Sequence, residues 1–262
     1  KSTNNEPKQF INFGGWNLFE KTLKRIKGPL FDYPIISTNV KYLKKIKFYL
    51  KKNKFNKYRI VLEPAKRNTG PAVLSASLVP DIPNKQPLLF LPSDHLLEKN
   101  NVFNKNLIKN SKYLNNKNIF LFGIKPDNPS KEYGYLNVKK SGSHLIKIVK
   151  FIEKPSVKKA KALIKSKGLW NSGMFFVRKD SIINNFKKFE KKILKNCYIS
   201  MSKARTKGKI INLNKRYFLK SPINSFDYAI LEKCSDINCI VLNLPWSDLG
   251  NWREILKVFK NN

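Results

Sequence analysis

Apolar positions along the chain follow the spacings of helices and strands in alternation. Asn17, with Glu20 three residues later, precedes an apolar stripe of helical period that ends before Gly28, so a helix is predicted between them. Short apolar runs bounded by Pro, Asn or Gly predict strands. The predicted order in the first half is strand 34–37, helix 40–52, strand 59–63, helix 71–79, and strands 87–91 and 118–124.

The second half of the chain has a more mixed pattern. Residues 133–138 and 145–152 predict two antiparallel strands around a turn at 140–143. Ser156 is the predicted N-cap of the next helix. The remaining predicted elements are strand 173–177, helix 181–195, helix 225–234 and strand 239–244. This alternation predicts an α/β fold with a mostly parallel central sheet and helices on both faces.

The chain is strongly basic, with 53 Lys and Arg against 17 Asp and Glu and a formal net charge of +36. Such a charge is typical of nucleic-acid-binding proteins. Here the excess is mostly Lys, is spread over the whole chain and is interleaved with Asn, whereas Arg is favoured for base recognition. We therefore interpret it as diffuse surface charge and expect no specific nucleic-acid partner, although sequence-independent binding at low salt is expected.

Composition also limits the cellular location. No apolar run approaches the roughly 20 residues of a membrane span, and the first nine residues are polar, so neither a membrane segment nor a signal peptide is predicted. Cys197, Cys234 and Cys239 form no CxxC pair, which argues against a disulfide framework or a zinc site. We expect a cytoplasmic protein, and the sequence is compatible with a homo-oligomer.

Two aspartates, Asp94 and Asp248, each follow an apolar run that is predicted as a strand. In open α/β sheets, ligands bind outside the carboxyl ends of the strands. Two carboxylates brought together there could hold one Mg²⁺ against the phosphates of a nucleotide. Turn or helix-cap aspartates would give the same local pattern, so the two fragments alone leave both interpretations open.

Eight short blocks occur in order along the chain and together resemble one family. They are Pro7-Lys8-Gln9-Phe10, Glu63-Pro64 with Arg67-Asn68-Thr69-Gly70-Pro71-Ala72, Leu91-Pro92-Ser93-Asp94-His95, Tyr133-Gly134-Tyr135, Phe151-Ile152-Glu153-Lys154-Pro155, Trp170-Asn171-Ser172-Gly173-Met174-Phe175, Ser225-Phe226-Asp227-Tyr228-Ala229 and Trp246-Ser247-Asp248-Leu249-Gly250-Asn251-Trp252. From Pro7 to about Leu256 the chain resembles the mannose-1-phosphate guanylyltransferase (GDP-mannose pyrophosphorylase) family of sugar nucleotidyltransferases. The resemblance implies one Rossmann-like domain over 1–262, with a nucleotide-binding half at about 1–125 and a sugar-phosphate-binding half at about 126–262.

The resemblance also implies a reaction and its catalytic residues. GTP and mannose 1-phosphate would be joined into GDP-mannose and pyrophosphate, with Mg²⁺ as the cofactor. Lys8 would lie near the transferring phosphates, where a cation offsets developing charge. Asp94 and Asp248 would be the two metal ligands.

Two groups of binding residues are implied in the same way. The nucleotide would be contacted by Arg67, Asn68 and Thr69. The sugar phosphate would be contacted by Gly134, Glu153, Lys154 and Asn171. A different sugar 1-phosphate or nucleotide stays open, because such folds keep their phosphate and metal groups while the pockets vary.

The chain departs from the family pattern at its beginning. Members of the family carry a strand and a glycine-rich loop with an arginine ahead of the Pro-Lys-Gln block, and only six residues precede Pro7 here. Gly14-Gly15 cannot replace that loop, because it follows the block. The missing strand would be a central one, so its absence is expected to expose apolar surface and unpaired backbone.

Three explanations of this departure stay open: an incomplete enzyme, a degenerate pseudoenzyme, and a binding protein that kept the fold. We favour the first, because the other blocks are intact, and we expect residues 1–262 alone to be weakly active or inactive. A basic nucleic-acid-binding protein is the rival from another functional class.

Overall fold

The computed structural model describes residues 6–140 and 145–250. The helices are α1 (Leu18–Arg25), α2 (Leu43–Lys52), α3 (Thr69–Ser77), α4 (Asn100–Ser111), α5 (Val157–Lys165), α6 (Lys179–Phe189), α7 (Lys191–Ser202) and α8 (Lys215–Phe218). The strands are β1 (Ile35–Asn39), β2 (Arg59–Glu63), β3 (Pro87–Phe90), β4 (Leu96–Leu97), β5 (Ile119–Ile124), β6 (Tyr135–Lys140), β7 (Ile146–Ile152), β8 (Leu169–Arg178), β9 (Arg205–Lys207), β10 (Ile210–Asn212), β11 (Ile237–Leu242) and β12 (Trp246–Ser247). Residues 141–143 of the predicted turn lie outside the described ranges.

The strands form a large sheet, a smaller one and a short two-stranded ladder. The large sheet has the order β3-β8-β5-β11-β7-β6, and the smaller one has the order β1-β2-β10-β9. β6 also pairs with the beginning of β8, so the pairings among β8, β5, β11, β7 and β6 close on themselves. The ladder joins β4 to β12.

Side chains of β5 show how the large sheet is covered on both faces. Ile119 and Leu121 pack into a core cluster with residues of α3, α6 and α7, whereas Phe120 and Phe122 pack into a second cluster with residues of α4 and α5. Successive strand residues point to opposite faces, so this alternation requires apolar partners above and below the sheet. The predicted α/β class with helices on both faces is confirmed.

Strand direction differs from the expectation of a mostly parallel sheet. Among the described strand pairs, only β1–β2, β2–β10 and β5–β11 are parallel. β8 runs antiparallel to β3, β5 and β6, and the predicted hairpin of β6 and β7 is antiparallel as well. One reversed strand in the middle of a sheet makes its neighbouring pairs antiparallel, and the apolar pattern of a buried strand carries no direction.

Several elements differ from the sequence prediction in extent. The helix predicted at 181–195 is two helices, α6 and α7, because Glu190 leaves the helical conformation at φ −140° and ψ 55°. The helix predicted at 225–234 contains a π-helical turn at Asp227–Leu231, closed by the Glu232 N–H donating to the Asp227 carbonyl. The sequence prediction did not include α4, α8, or the short strands β4, β9, β10 and β12.

The facing edges of the two sheets border one apolar cavity. Among the described residues, β1 ends the smaller sheet and β3 ends the large one. Both strands line a cavity of about 560 Å³, together with Phe19 and Leu23 of α1 and Leu107 of α4. A further strand at this place would pair with both open edges. That such a strand is missing stays a prediction.

Candidate active site

Lys8 lies between the two aspartates that the sequence singled out. Its Nζ is 3.3 Å from Oδ2 of Asp94 and donates a hydrogen bond to the main-chain carbonyl of Asp248. The Lys8 side chain is 16% exposed, so this ion pair is partly shielded from water. Phe10, in the same short 3₁₀ turn, is buried against Phe19 and Tyr49 and fixes the turn. The structure therefore brings residues 8, 94 and 248 to one place.

The β4–β12 ladder explains why Asp94 and Asp248 meet. Ser247 pairs with Leu96 and Trp246 with Leu97, in antiparallel register. Each aspartate stands just beyond its strand at the same end of this ladder. Arg25 of α1 stabilises β4, because its Nη2 donates a hydrogen bond to the Leu97 carbonyl at 3.1 Å. Two segments about 150 residues apart in the sequence are thus held next to each other by two pairs of residues.

Tyr133 orients the carboxylate of Asp248. Its hydroxyl donates to Oδ1 of Asp248 at 2.9 Å, and the main-chain N–H of Gly250 donates to the same oxygen at 2.9 Å. The Tyr133 ring packs on Trp170 and Trp246, with centroids 4.7 and 5.4 Å away. The aromatic packing holds the hydroxyl in place, and so it sets the direction of the carboxylate.

His95 lies beside both aspartates. Burial lowers the pKa of its imidazole, while the carboxylates of Asp94 and Asp248 act in the opposite direction. The ring packs edge-on against Trp246, with centroids 5.5 Å apart. Since the net shift is downward, the neutral form of the imidazole is favoured over the charged form.

The loop 67–69 is tied to the segment that precedes the π-helical turn. The guanidinium of Arg67 donates to the Leu219 carbonyl, and the Phe226 N–H donates to Oγ1 of Thr69 at 2.8 Å. Asn68 takes a left-handed conformation at φ 66° and caps α3 through its side chain. Of the three predicted nucleotide contacts, Arg67 and Thr69 thus form hydrogen bonds within the protein. Asn68 and Thr69 are exposed to solvent.

Gly134, Glu153 and Asn171, three of the predicted sugar-phosphate contacts, lie next to one another. The Asn171 N–H donates to the Gly134 carbonyl at 2.8 Å. A Cβ at Gly134 would lie 2.7 Å from Oε2 of Glu153 and 3.5 Å from Cβ of Asn171, so only glycine fits without moving the carboxyl group. The ladder between β5 and β8 shifts register at this point, where Gly173 adopts φ 72°. Bulges of this kind re-aim side chains next to active sites.

Glu153 carries an unusual charge state for a glutamate. Burial and, to a smaller extent, the Asp227 carboxyl raise the pKa of its carboxyl to about 7, although Lys154 acts in the opposite direction. Its side chain is 14% exposed, and Nζ of Lys154 lies 3.7 Å from Oε1. Lys154 itself is exposed and has φ 43°. A carboxyl group with a pKa near neutrality is common where a protein binds or transforms a ligand.

Two residues of this region were missed by the sequence reasoning. Tyr133 and Asp227 both lie within the eight sequence blocks, but the sequence analysis predicted no function for either residue. Spacing could not reveal that Tyr133 reaches Asp248 or that Asp227 reaches Asn171, because each contact joins distant segments. Their position inside these blocks was the only feature of the sequence that could have pointed to them.

The donor set at Asp94 and Asp248 fits a magnesium ion. Carboxylate oxygens are the protein ligands that Mg²⁺ prefers, and it usually takes one or two of them. The ammonium of Lys8 lies against Asp94 and the main chain of Asp248, which shows that positive charge is stabilised at this position. No group of three or more His, Cys, Asp and Glu residues in the described ranges is arranged for a metal ion. The remaining ligands would then be phosphate oxygens and water.

Comparison with known proteins places the chain in a family. A family model described as nucleotidyl transferase matches residues 2–262. The chain belongs to the nucleotidyl transferase family. The nucleotidyltransferase family expected from the sequence blocks is thereby confirmed. The chain is 30% identical over 259 residues to the mannose-1-phosphate guanylyltransferase of Klebsiella pneumoniae.

Further relatives show how much of each protein is shared. The nucleotidyl transferase is 31% identical over 260 residues to the alginate biosynthesis protein AlgA of Pseudomonas fluorescens, which covers 96% of this chain and 53% of AlgA. The Klebsiella comparison covers 96% of this chain and 55% of the relative. The chain therefore spans about half the length of the curated relatives it matches.

A solved structure from Helicobacter pylori, described as a mannose-6-phosphate isomerase, superposes with a TM-score of 0.82 at 29% identity. The match covers 92% of this chain and 94% of that one. In the described part of the nucleotidyl transferase, no helix is long and apolar enough to cross a membrane.

Proposed function

We propose that this nucleotidyl transferase transfers GMP from GTP to mannose 1-phosphate. An oxygen of the sugar phosphate attacks the α-phosphorus of GTP and forms a new P–O bond. The bond from the α-phosphorus to the bridging oxygen breaks at the same time, and its electron pair leaves with pyrophosphate. The proposal rests above all on Lys8, which joins Asp94 and Asp248 at the end of the β4–β12 ladder.

This chemistry needs alignment and positive charge more than covalent help. The ammonium of Lys8 is held at 3.3 Å from Asp94 and would offset the charge that develops on the phosphates. Asp94 and Asp248 would hold Mg²⁺, which neutralises phosphate charge when it is bound. Tyr133 keeps the Asp248 carboxylate in the required direction.

The two substrates would lie on opposite sides of this centre. Thr69 and Ser93, the latter next to Asp94, line the same cavity, which supports a nucleotide between the loop 67–69 and the aspartates. Gly134, Glu153, Lys154 and Asn171 would take the sugar phosphate. Glu153 in its ionised form accepts hydrogen bonds from sugar hydroxyls, and Lys154 meets the phosphate as a point charge.

Pyrophosphate release tests the proposal in two forms of the protein. One form is residues 1–262, and the other carries the glycine-rich loop and strand typical of the family ahead of Lys1. We expect turnover of GTP with mannose 1-phosphate in the longer form and little in the shorter one, because the loop supplies phosphate-binding N–H groups. Failure of both forms with every sugar 1-phosphate would contradict the enzymatic function. Robust turnover by residues 1–262 would contradict the need for the loop.

Substitution of Lys8 tests the central observation. Lys8→Met should lower kcat by about 100-fold, since a preorganised cation at the developing charge is lost. The matched control is Lys21→Met, because Lys21 is exposed and its ammonium lies over the Trp16 ring. Equal kcat values for the two variants would exclude a catalytic role for Lys8.

A panel of substrates separates the alternatives. Other nucleoside triphosphates and other sugar 1-phosphates test specificity, and mannose 6-phosphate tests the activity ascribed to the Helicobacter relative. A pseudoenzyme would bind GTP without turnover in either form. We also propose that the protein acts in the cytoplasm, where GTP and sugar phosphates are supplied.

A further inference from the structure

Asp227 lies at the sugar-phosphate subsite without an assigned role. We propose that Asp227 is a positioning residue of this subsite, where its carboxylate holds the Asn171 amide against the wall formed by Gly134 and Glu153. The inference rests on the proposed function and deepens it. It concerns recognition of the sugar 1-phosphate and not of the nucleotide.

The side chain of Asn171 is restrained on both of its polar atoms. Nδ2 donates to Oδ1 of Asp227 at 3.5 Å, and the Gly173 N–H donates to Oδ1 of Asn171 at 3.2 Å. An amide has two N–H donors and two oxygen lone pairs, so one donor and one acceptor remain for a ligand. A hydroxyl group, which both donates and accepts, matches that remaining pair. Asp227 decides which atom of the amide faces Gly173 and which faces the carboxylate.

The position of Asp227 is fixed by the residue before it. Phe226 is 3% exposed and stacks on Phe175, with ring centroids 4.5 Å apart. Its main-chain N–H donates to Thr69, so the same residue is tied to the nucleotide-side loop. Asp227 then begins the π-helical turn, a rare conformation that often occurs at functional sites.

Asp227 also acts on Glu153 across the subsite. The charged groups that face Glu153 are Asp227, Lys154 and Glu232, and Lys154 and Glu232 also face Asp227. Burial raises the pKa of both carboxyl groups, and the nearby Asp227 carboxyl raises the pKa of Glu153 further. The ionised Glu153 is the form that accepts from sugar hydroxyls. Binding of the sugar phosphate should therefore strengthen as the pH rises through about 7.

Three variants separate the roles of shape and charge. Asp227→Ala removes the acceptor for Asn171 and should raise the KM for mannose 1-phosphate about tenfold, with the KM for GTP unchanged. Asp227→Asn keeps an oxygen acceptor but removes the charge. It should restore the KM at about pH 8 and move the pH dependence of that KM to lower pH. The control is Glu232→Gln, because Glu232 is exposed and its charge also acts on Glu153, whereas the Asn171 side chain is hydrogen-bonded to Asp227 and Gly173.

The measurements use whichever of the two forms of the protein turns over, with kcat, both KM values and the pH profile. A carboxyl NMR titration of Glu153 in wild type and Asp227→Asn adds a readout that needs no substrate, and a lower pKa is expected in the variant. This titration tests the inference even if Asp227→Ala fails to fold.

The inference and the proposed function fail in different ways. Absence of turnover and of binding with any sugar 1-phosphate in wild type would overturn both. Turnover by wild type with an unchanged sugar KM in Asp227→Ala, or with equal rises in both KM values, would overturn the inference alone. An unchanged Glu153 titration in Asp227→Asn would also overturn it.

Discussion

Single side chains in this protein have their function set by partners that lie far away in the sequence. Lys8 is one basic residue among 53, and its local sequence differs little from that of an exposed lysine. Its contacts with Asp94 and Asp248 distinguish it. The same holds for Tyr133, whose partner is 115 residues away. At the residue scale, chemistry follows from these long-range contacts.

Tyr133→Phe tests the orientation of Asp248. We expect a higher Mg²⁺ concentration for half-maximal rate, because the carboxylate loses the hydroxyl that fixes it, and a loss of about 1 kcal/mol in the free energy of unfolding. Tyr135→Phe is the matched control, since the Tyr135 hydroxyl donates to the Ser130 carbonyl at the same 2.9 Å. It should lose similar stability with no change in Mg²⁺ dependence. The same Mg²⁺ dependence in both variants would speak against the role of Tyr133.

The raised pKa of Glu153 predicts that the stability of the protein depends on pH. Its pKa in the folded protein is raised to about 7, above the ordinary value of 4.5. A raised pKa means that the folded state binds more protons in this window, so this contribution is complete below about pH 4.5 and is lost as the pH rises through about 7. Relative to Glu153→Gln, the wild-type free energy of unfolding should fall from about pH 5 to about pH 8. Parallel curves from denaturant titrations would contradict the shift.

At the scale of elements, short irregular segments do the positioning. The β4–β12 ladder has two residue pairs and yet aligns Asp94 with Asp248. The shifted register of β8 sets Asn171, and the π-helical turn after Phe226 sets Asp227. The long helices and strands build the two cores that hold these segments in place.

Phe226→Ala tests the anchor of the π-helical turn. Loss of a buried aromatic ring stacked on Phe175 should lower the free energy of unfolding by about 3–5 kcal/mol. Phe48→Ala is the control, because Phe48 is 60% exposed, and its change should stay within about 0.5 kcal/mol. Thermal and denaturant unfolding measure both. A small effect of Phe226→Ala would show that the turn is held in another way.

At the scale of the whole molecule, the charge and the cavity between the sheets stand out. The charge of +36 is spread over the chain, while the proposed site concentrates three charged groups in one place. The cavity between β1 and β3 has the apolar lining and two strand edges that one further strand would require.

Salt dependence distinguishes diffuse charge from a nucleic-acid site. Binding to duplex DNA should be independent of sequence and should weaken by about 10³-fold or more between about 50 and 200 mM salt, as counterion release requires. Fluorescence anisotropy with two unrelated duplexes measures this. Sequence-dependent binding that survives the higher salt would favour the nucleic-acid-binding rival.

The sequence by itself determined the α/β class, the family, and most of the long elements, including β2 at its observed bounds and α1 with its Asn17 cap. Local patterns suffice there, since periodicity and capping act over a few residues. Only the tertiary structure decided the direction of β8, the break at Glu190, and the contacts of Lys8, Tyr133 and Asp227. These depend on pairing and packing between distant segments, which no local pattern encodes.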